Sequence, residues 1–215
     1  NTHSTNGQVA ASSITATNTL TLNAANELEI AGSDVGSANA LTVNANSINI
    51  HASEGTYATD SSSESKNANV GLYGTRMGQA TVGYQENEMN TEGTYQRNSQ
   101  LYAGGKATLT SMEDTTLSGA NIEAKNLELN VGGDLHMQSL QDRQTIEGSS
   151  KGGSISGSVI TGTPTGASAN AGETSGEKAW VSQTTGINGS ESVTVNVGGT
   201  TTLTGASITN LDEKG

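Results

Sequence analysis

Apolar residues in this chain come as pairs spaced i, i+2, the pattern of short strands that turn one face inward. Leu20 and Leu22 are followed by Leu28 and Ile30, and the set recurs as Leu41 and Val43, then Ile48 and Ile50, 20 or 21 residues on. Farther along, Ala107 and Leu109 recur as Leu127 and Leu129, and Leu117 recurs as Met137. Gly32-Ser33-Asp34, Gly119-Ala120-Asn121 and Gly205-Ala206-Ser207 punctuate the pairs. Glycine there supplies unusual dihedrals, and the short polar side chains hydrogen-bond the local backbone. Strand, turn, strand, turn and return after about twenty residues predicts the coil of a parallel β-helix.

A longer period contains the short one. Leu28–Val35 (LEIAGSDV), Thr115–Ile122 (TTLSGANI) and Thr201–Ile208 (TTLTGASI) align without gaps, and Ile14, Leu101 and Ile187 stand 87 and 86 residues apart. Two coils use only about 41 residues of each unit, so two insertions of 46 residues must leave the column at the same corner. The predicted organisation is a single repeat array: coil pair 14–55, insertion 56–100, coil pair 101–142, insertion 143–186 and a partial pair 187–215. Each insertion reads as a β-hairpin with a glycine-bounded pentad at its tip, Gly74–Gly78 in the first and Gly162–Gly166, around Pro164, in the second. Symmetric closure of the first pairs Leu72 with Ala80, Val70 with Val82, Ala68 with Tyr84, Lys66 with Glu86 and Tyr57 with Tyr95. A hairpin is two strands wide and a unit advances two coils, so successive hairpins can abut as a second sheet running alongside the column. All five tyrosines and Trp180 lie in the insertions or at their exits. Tyr57, Tyr73, Tyr84, Tyr95 and Trp180 are therefore candidate partner contacts, against a plainer role in covering the column or stiffening the hairpins.

Composition sharpens this picture. Leu 14, Ile 10, Val 11 and Phe 0 make about 16% of the 215 residues, below the roughly 20% under which a charged chain reads as disordered. The deficit is uneven, because 24 of those 35 residues lie in 20–50, 101–137 and 187–211. A thin stacked core needs only a handful of aliphatic side chains per coil. The net charge of −12 offers no counterion-releasing surface and argues against a nucleic-acid partner. With no cysteine there are no disulfides or thiolate metal sites. No apolar run is long enough to span a bilayer as a helix. Asn1–Ala10 has no signal-peptide character, so the chain is expected to be a fragment of a longer one. Asp60, Asp114, Asp134, Asp142 and Asp212 show no pairing at strand spacing, and His3, His51 and His136 do not align across repeats. We therefore expect no catalytic residues, no cofactor and no metal site.

The run NTLTLNAANELEIAGSDVGSANALTVNANSINIHAS, from Asn18 to Ser53, resembles the haemagglutinin repeats of filamentous-haemagglutinin-type two-partner-secretion exoproteins. A coil pair followed by a long Ser/Gly-rich insertion is most similar to their second repeat region, as carried by contact-dependent growth-inhibition effectors of the CdiA kind. The resemblance covers nearly the whole chain. It implies a right-handed β-helix within a very long Gram-negative surface protein, secreted through an outer-membrane partner transporter. The expected partners are neighbouring repeats of the same chain and the outer membrane of a target cell, with any toxin residing elsewhere. A haemagglutinin shaft for host-cell attachment or biofilm is the alternative.

Overall fold

The structure is a computed structural model that describes residues 1–73, 77–159 and 161–211, excepting the side chains of 72, 73 and 77. All regular elements among them are strands. Internal contacts divide the chain into two compact units. Unit 1 comprises Asn1–Asn6, Thr56–Gly93 and Arg143–Lys178, and unit 2 comprises Gly7–Gly55, Thr94–Asp142 and Ala179–Gly215.

Strand β1 (Thr2–Gly7) precedes the first coil, which holds β2 (Ser13–Ala16), β3 (Thr19–Asn23) and β4 (Glu27–Ala31). The second coil holds β5 (Asp34–Ser37), β6 (Ala40–Ala45) and β7 (Ser47–His51). Two long strands follow, β8 (Ser53–Tyr73) and β9 (Met77–Arg97). The third and fourth coils are β10 (Ser99–Ser111) with β11 (Thr115–Ser118), and β12 (Ala120–Val131) with β13 (Leu135–Gln138). After β14 (Asp142–Ser158) and β15 (Pro164–Trp180) come β16 (Gly186–Val197), β17 (Thr201–Thr204) and β18 (Ser207–Thr209).

The coils of unit 2 stack into parallel sheets. One runs β2-β5-β10-β12-β16-β18 and also takes in β3 and β6, and the other runs β4-β7-β11-β13-β17. The ladder places Leu20 on Leu41, Leu41 on Ala107, Ala107 on Leu127 and Leu127 on Val193. In the second sheet Ile30 lies on Ile50, Ile50 on Leu117, Leu117 on Met137 and Met137 on Leu203. These are the superpositions that the apolar pairs predict, and the repeated parallel return is a β-helix. Leu41, Val43, Leu109, Leu117 and Leu129 are fully buried, whereas Ile14 and Leu203, in the first and last coils, are 48% and 45% exposed. The interior is thus a narrow column, buried by stacking.

Outside the column, neighbouring coils repeat polar contacts. Asn44 donates to Asn23 at 2.8 Å and Asn196 to Asn130 at 2.8 Å. The Asp114 carboxylate accepts the Asp134 N–H at 2.8 Å, and that of Asp134 accepts the Thr200 N–H at 2.6 Å, so both satisfy turn backbone of the next coil. Gly32, Gly119 and Gly205 take positive φ of 48°, 71° and 62°, the conformation their turn requires. Asp34 departs from the turn slot expected of it: it opens β5 and pairs with Arg97 at 2.9 Å.

Where the chain returns to the column, a buried hydroxyl takes over the backbone groups at the corner. The Ser99 hydroxyl donates to the His51 carbonyl at 2.7 Å and accepts the Ser33 N–H at 3.2 Å. Its counterpart 86 residues on, Thr185, donates to the Gln138 carbonyl at 2.6 Å and accepts the Gly119 N–H at 2.8 Å. Both side chains are fully buried, so each bond replaces one that water cannot supply.

Candidate interaction surface

Unit 1 is built from one five-stranded sheet, ordered β1-β8-β9-β14-β15. Paired side chains identify one of its faces on every strand. Ser4 of β1 meets Thr59 of β8 at 3.3 Å, and Ser63 of β8 meets Asn87 of β9 at 3.4 Å. Thr81 of β9 meets Ser156 of β14 at 3.1 Å, and Ser154 of β14 meets Ser168 of β15 at 2.8 Å. Strand alternation assigns every second residue to that face. It then carries Ser, Thr, Asn, Gln and Gly, together with Tyr57, Met89, Ile146 and Pro164, and one charge, Lys178. No carboxylate of the described residues of unit 1 stands there.

The opposite face holds the acids: Asp60 and Glu64 on β8, Glu86, Glu88 and Glu92 on β9, Glu147 on β14, and Glu173 and Glu177 on β15. Lys66, Arg143 and Lys151 share it. Lys66 pairs with Glu64 at 2.6 Å and lies 5.9 Å from the Tyr84 ring centroid. The hydrogen bond to Glu64 raises the Lys66 pKa, and the bond Tyr84 donates to Glu86 at 2.8 Å raises that of the phenol. A shallow trough of about 900 Å³ crosses all five strands, with His3, Asp60, Glu88, Glu147 and Glu173 among its lining. Among the described residues, no group of three or more His, Cys, Asp or Glu could hold a metal ion.

The register of the first hairpin differs from the expected one by two residues. Asn67 lies against Gly83, Tyr57 against Gly93, and Lys66 beside Tyr84. Val70 therefore does not oppose Val82, nor Tyr57 oppose Tyr95. β8 ends at Tyr73 and β9 begins at Met77, so Gly78 belongs to the strand, while Gly74–Arg76 lie outside the described residues. The apolar pairs cannot impose a register, since Val70 and Val82 stay 68% and 62% exposed. Tyrosine rings lie over cross-strand glycines instead. In the second hairpin Pro164 is the first residue of β15, a position that needs no N–H, and the turn precedes it. There the Ser158 N–H donates to the Thr163 carbonyl at 3.0 Å and the Gly162 N–H to the Ser158 carbonyl at 2.9 Å.

The aromatic candidates do not gather on one surface. Tyr57 and Tyr84 occupy opposite faces of the unit 1 sheet, and the Tyr73 side chain is outside the described set. Tyr95 belongs to unit 2, where it covers Gly55 and donates to the Gly7 carbonyl at 3.4 Å. Trp180, also in unit 2, donates its indole N–H to Ser182 at 2.9 Å, and Ser182 in turn bonds Asp142. The segregation of charge between faces escaped the sequence reading. Its signal is period-two alternation of acidic with uncharged residues along 56–93, as in TDSSSES and QENEMNTEG.

A family model described as Hemagglutinin repeat matches residues 1–153. The chain is 32% identical over 206 residues to Toxin CdiA of Escherichia coli, covering 89% of this chain and 7% of that protein. It is 30% identical over 220 residues to Deoxyribonuclease CdiA of Yersinia pseudotuberculosis serotype O:3 (strain YPIII), covering 94% of this chain and 20% of that one. The chain thus spans a fifth or less of the curated relatives it matches. No solved structure matches it. With its stacked coils and the match across most of its length, the chain belongs to the haemagglutinin-repeat family.

Proposed function

We propose that this repeat is a non-enzymatic part of a secreted, cell-surface exoprotein of contact-dependent growth inhibition, exported through an outer-membrane partner transporter. In this reading, unit 1 engages the outer membrane of a target cell during toxin delivery. The supporting observation is the carboxylate-free face of its sheet, whose single charge is Lys178. Hydroxyls and amides donate and accept toward saccharide hydroxyls without desolvating a charge, and Tyr57 adds one ring to that face. The catalytic names of the relatives belong to proteins many times longer than this chain.

The test is made in a full-length effector carrying this repeat, by target-cell binding and co-culture killing. Removing residues 56–96 while keeping the coils should abolish both. Replacing Ser63 and Thr81 by Glu, on the carboxylate-free face, should weaken both, whereas Ser62→Glu on the acidic face should not. Unchanged binding and killing after the deletion would sink the reading and leave a passive adhesin shaft.

A further inference from the structure

Strand pairing in unit 1 follows a rule. The second strand of the first hairpin, β9, pairs with the first strand of the next, β14. β1 pairs with β8 in the same way, from the stretch that precedes a coil as β9 does. β15 is again a second strand, it ends the sheet order, and every residue from Pro164 to Ala179 is exposed. A long strand edge presents a row of backbone donors and acceptors that templates another strand.

We propose that the outer edge of β15 is a docking site for the first strand of a further hairpin of this repeat. The two existing pairings fix the register. First strands correspond at an interval of 87, as the column exits Ile50 and Met137 do, so Ser63 corresponds to Ser150. Ser63 contacts Asn87, and Ser150 bonds the Gly172 carbonyl, so second strands correspond at 85. Carrying the Thr81 and Ser156 contact forward sets Gly166 of β15 against the Asn69 position of an incoming strand. Ser4 corresponds to Thr91 at the interval of 87 that separates Ile14 from Leu101, and Thr91 to Gly176 at 85, so carrying the Ser4 and Thr59 contact forward sets Gly176 against the Thr59 position. Both transfers describe one antiparallel register, in which Thr174 faces the Ser61 position. On the acidic face that register sets Ala169 against Lys66, Ala167 against Ala68 and Glu173 against Ser62, with no like charges directly opposed. The docking requires no membrane.

The experiment uses the whole chain, which has no cysteine, with Thr174→Cys introduced. The probes are peptides of residues 56–71 carrying Ser61→Cys, Ser63→Cys or Ser65→Cys. Directly opposed Cα atoms lie within disulfide reach, but a two-residue slip exceeds it, so the Ser61→Cys peptide should cross-link about tenfold more efficiently than the others. An unlabelled peptide of residues 142–157, from β14, should compete, and a scrambled one should not. Equal yields at all three positions, no cross-link, or no competition by the β14 peptide would overturn the proposal. Because no cell is involved, failure here is distinct from failure of target-cell engagement.

Discussion

The stack of Leu22, Val43, Leu109, Leu129 and Val195 permits a quantitative test of how the column is stabilised. Leu129 is fully buried between Leu109 and Val195, whereas Leu22 lies in the first coil, half-buried, with a neighbour on one side only. Leu129→Ala removes three carbons from an enclosed site. At about 0.8 kcal/mol per buried methylene, with a cavity that rigid neighbouring coils cannot close, the cost is roughly 3–4 kcal/mol. Leu22→Ala exposes little new apolar surface and leaves no closed cavity, so about 1 kcal/mol is expected. Urea unfolding followed by far-UV circular dichroism gives both values. Amide exchange should locate the first loss at 109, 129 and 195, because repeat stability is a sum of coil and nearest-neighbour terms. Equal costs for the two variants, or a larger one for Leu22→Ala, would refute a core stabilised by enclosure between coils.

Gly119→Ala forces a side chain into φ 71° with its Cβ 2.6 Å from that of Ala52, and a cost of about 2–4 kcal/mol is expected from strain and overpacking. Gly166→Ala, with nothing within 4 Å of its Cβ, should leave the thermal midpoint nearly unchanged. His51 pairs with Glu29 at 2.9 Å, and that hydrogen bond, then the Ala52 carbonyl, raise its pKa above 6.5. A raised folded-state value means the stabilisation is complete below about pH 6.5 and is lost as pH rises through the folded pKa. For so exposed a pair the amount is a few tenths to about 1 kcal/mol. Glu29→Gln should lower the His51 pKa measured by NMR and flatten this pH dependence, and an unchanged titration would refute the pairing.

The coils were legible in sequence because their register is over-determined. A one-residue slip would turn Leu41, Val43, Ile48 and Ile50 outward together, so the ladder must superpose apolar positions. The hairpins carry no such penalty. Val70 and Val82 remain exposed in either register, and a slide of two residues keeps every side chain on its face. The expected pairing was accordingly wrong by one pleat, while the division into faces is unaffected. Ser99 and Thr185 could have been noticed as hydroxyls 86 residues apart, but nothing in sequence shows that a buried corner needs them.

The sequence by itself determined a β-helix with coils of 20 or 21 residues and a narrow core of a few side chains per coil, because period-two apolar pairs returning at that interval bury themselves only by stacking. Tertiary structure alone decided which residues meet across β8 and β9, that the aromatics are divided between faces and units, and that five strands join in a single sheet. Those outcomes depend on backbone pairing among polar strands, where hydrogen bonds are equally available in several registers. The fit of tyrosine over glycine, Tyr57 on Gly93 and Tyr95 on Gly55, then favours one of them.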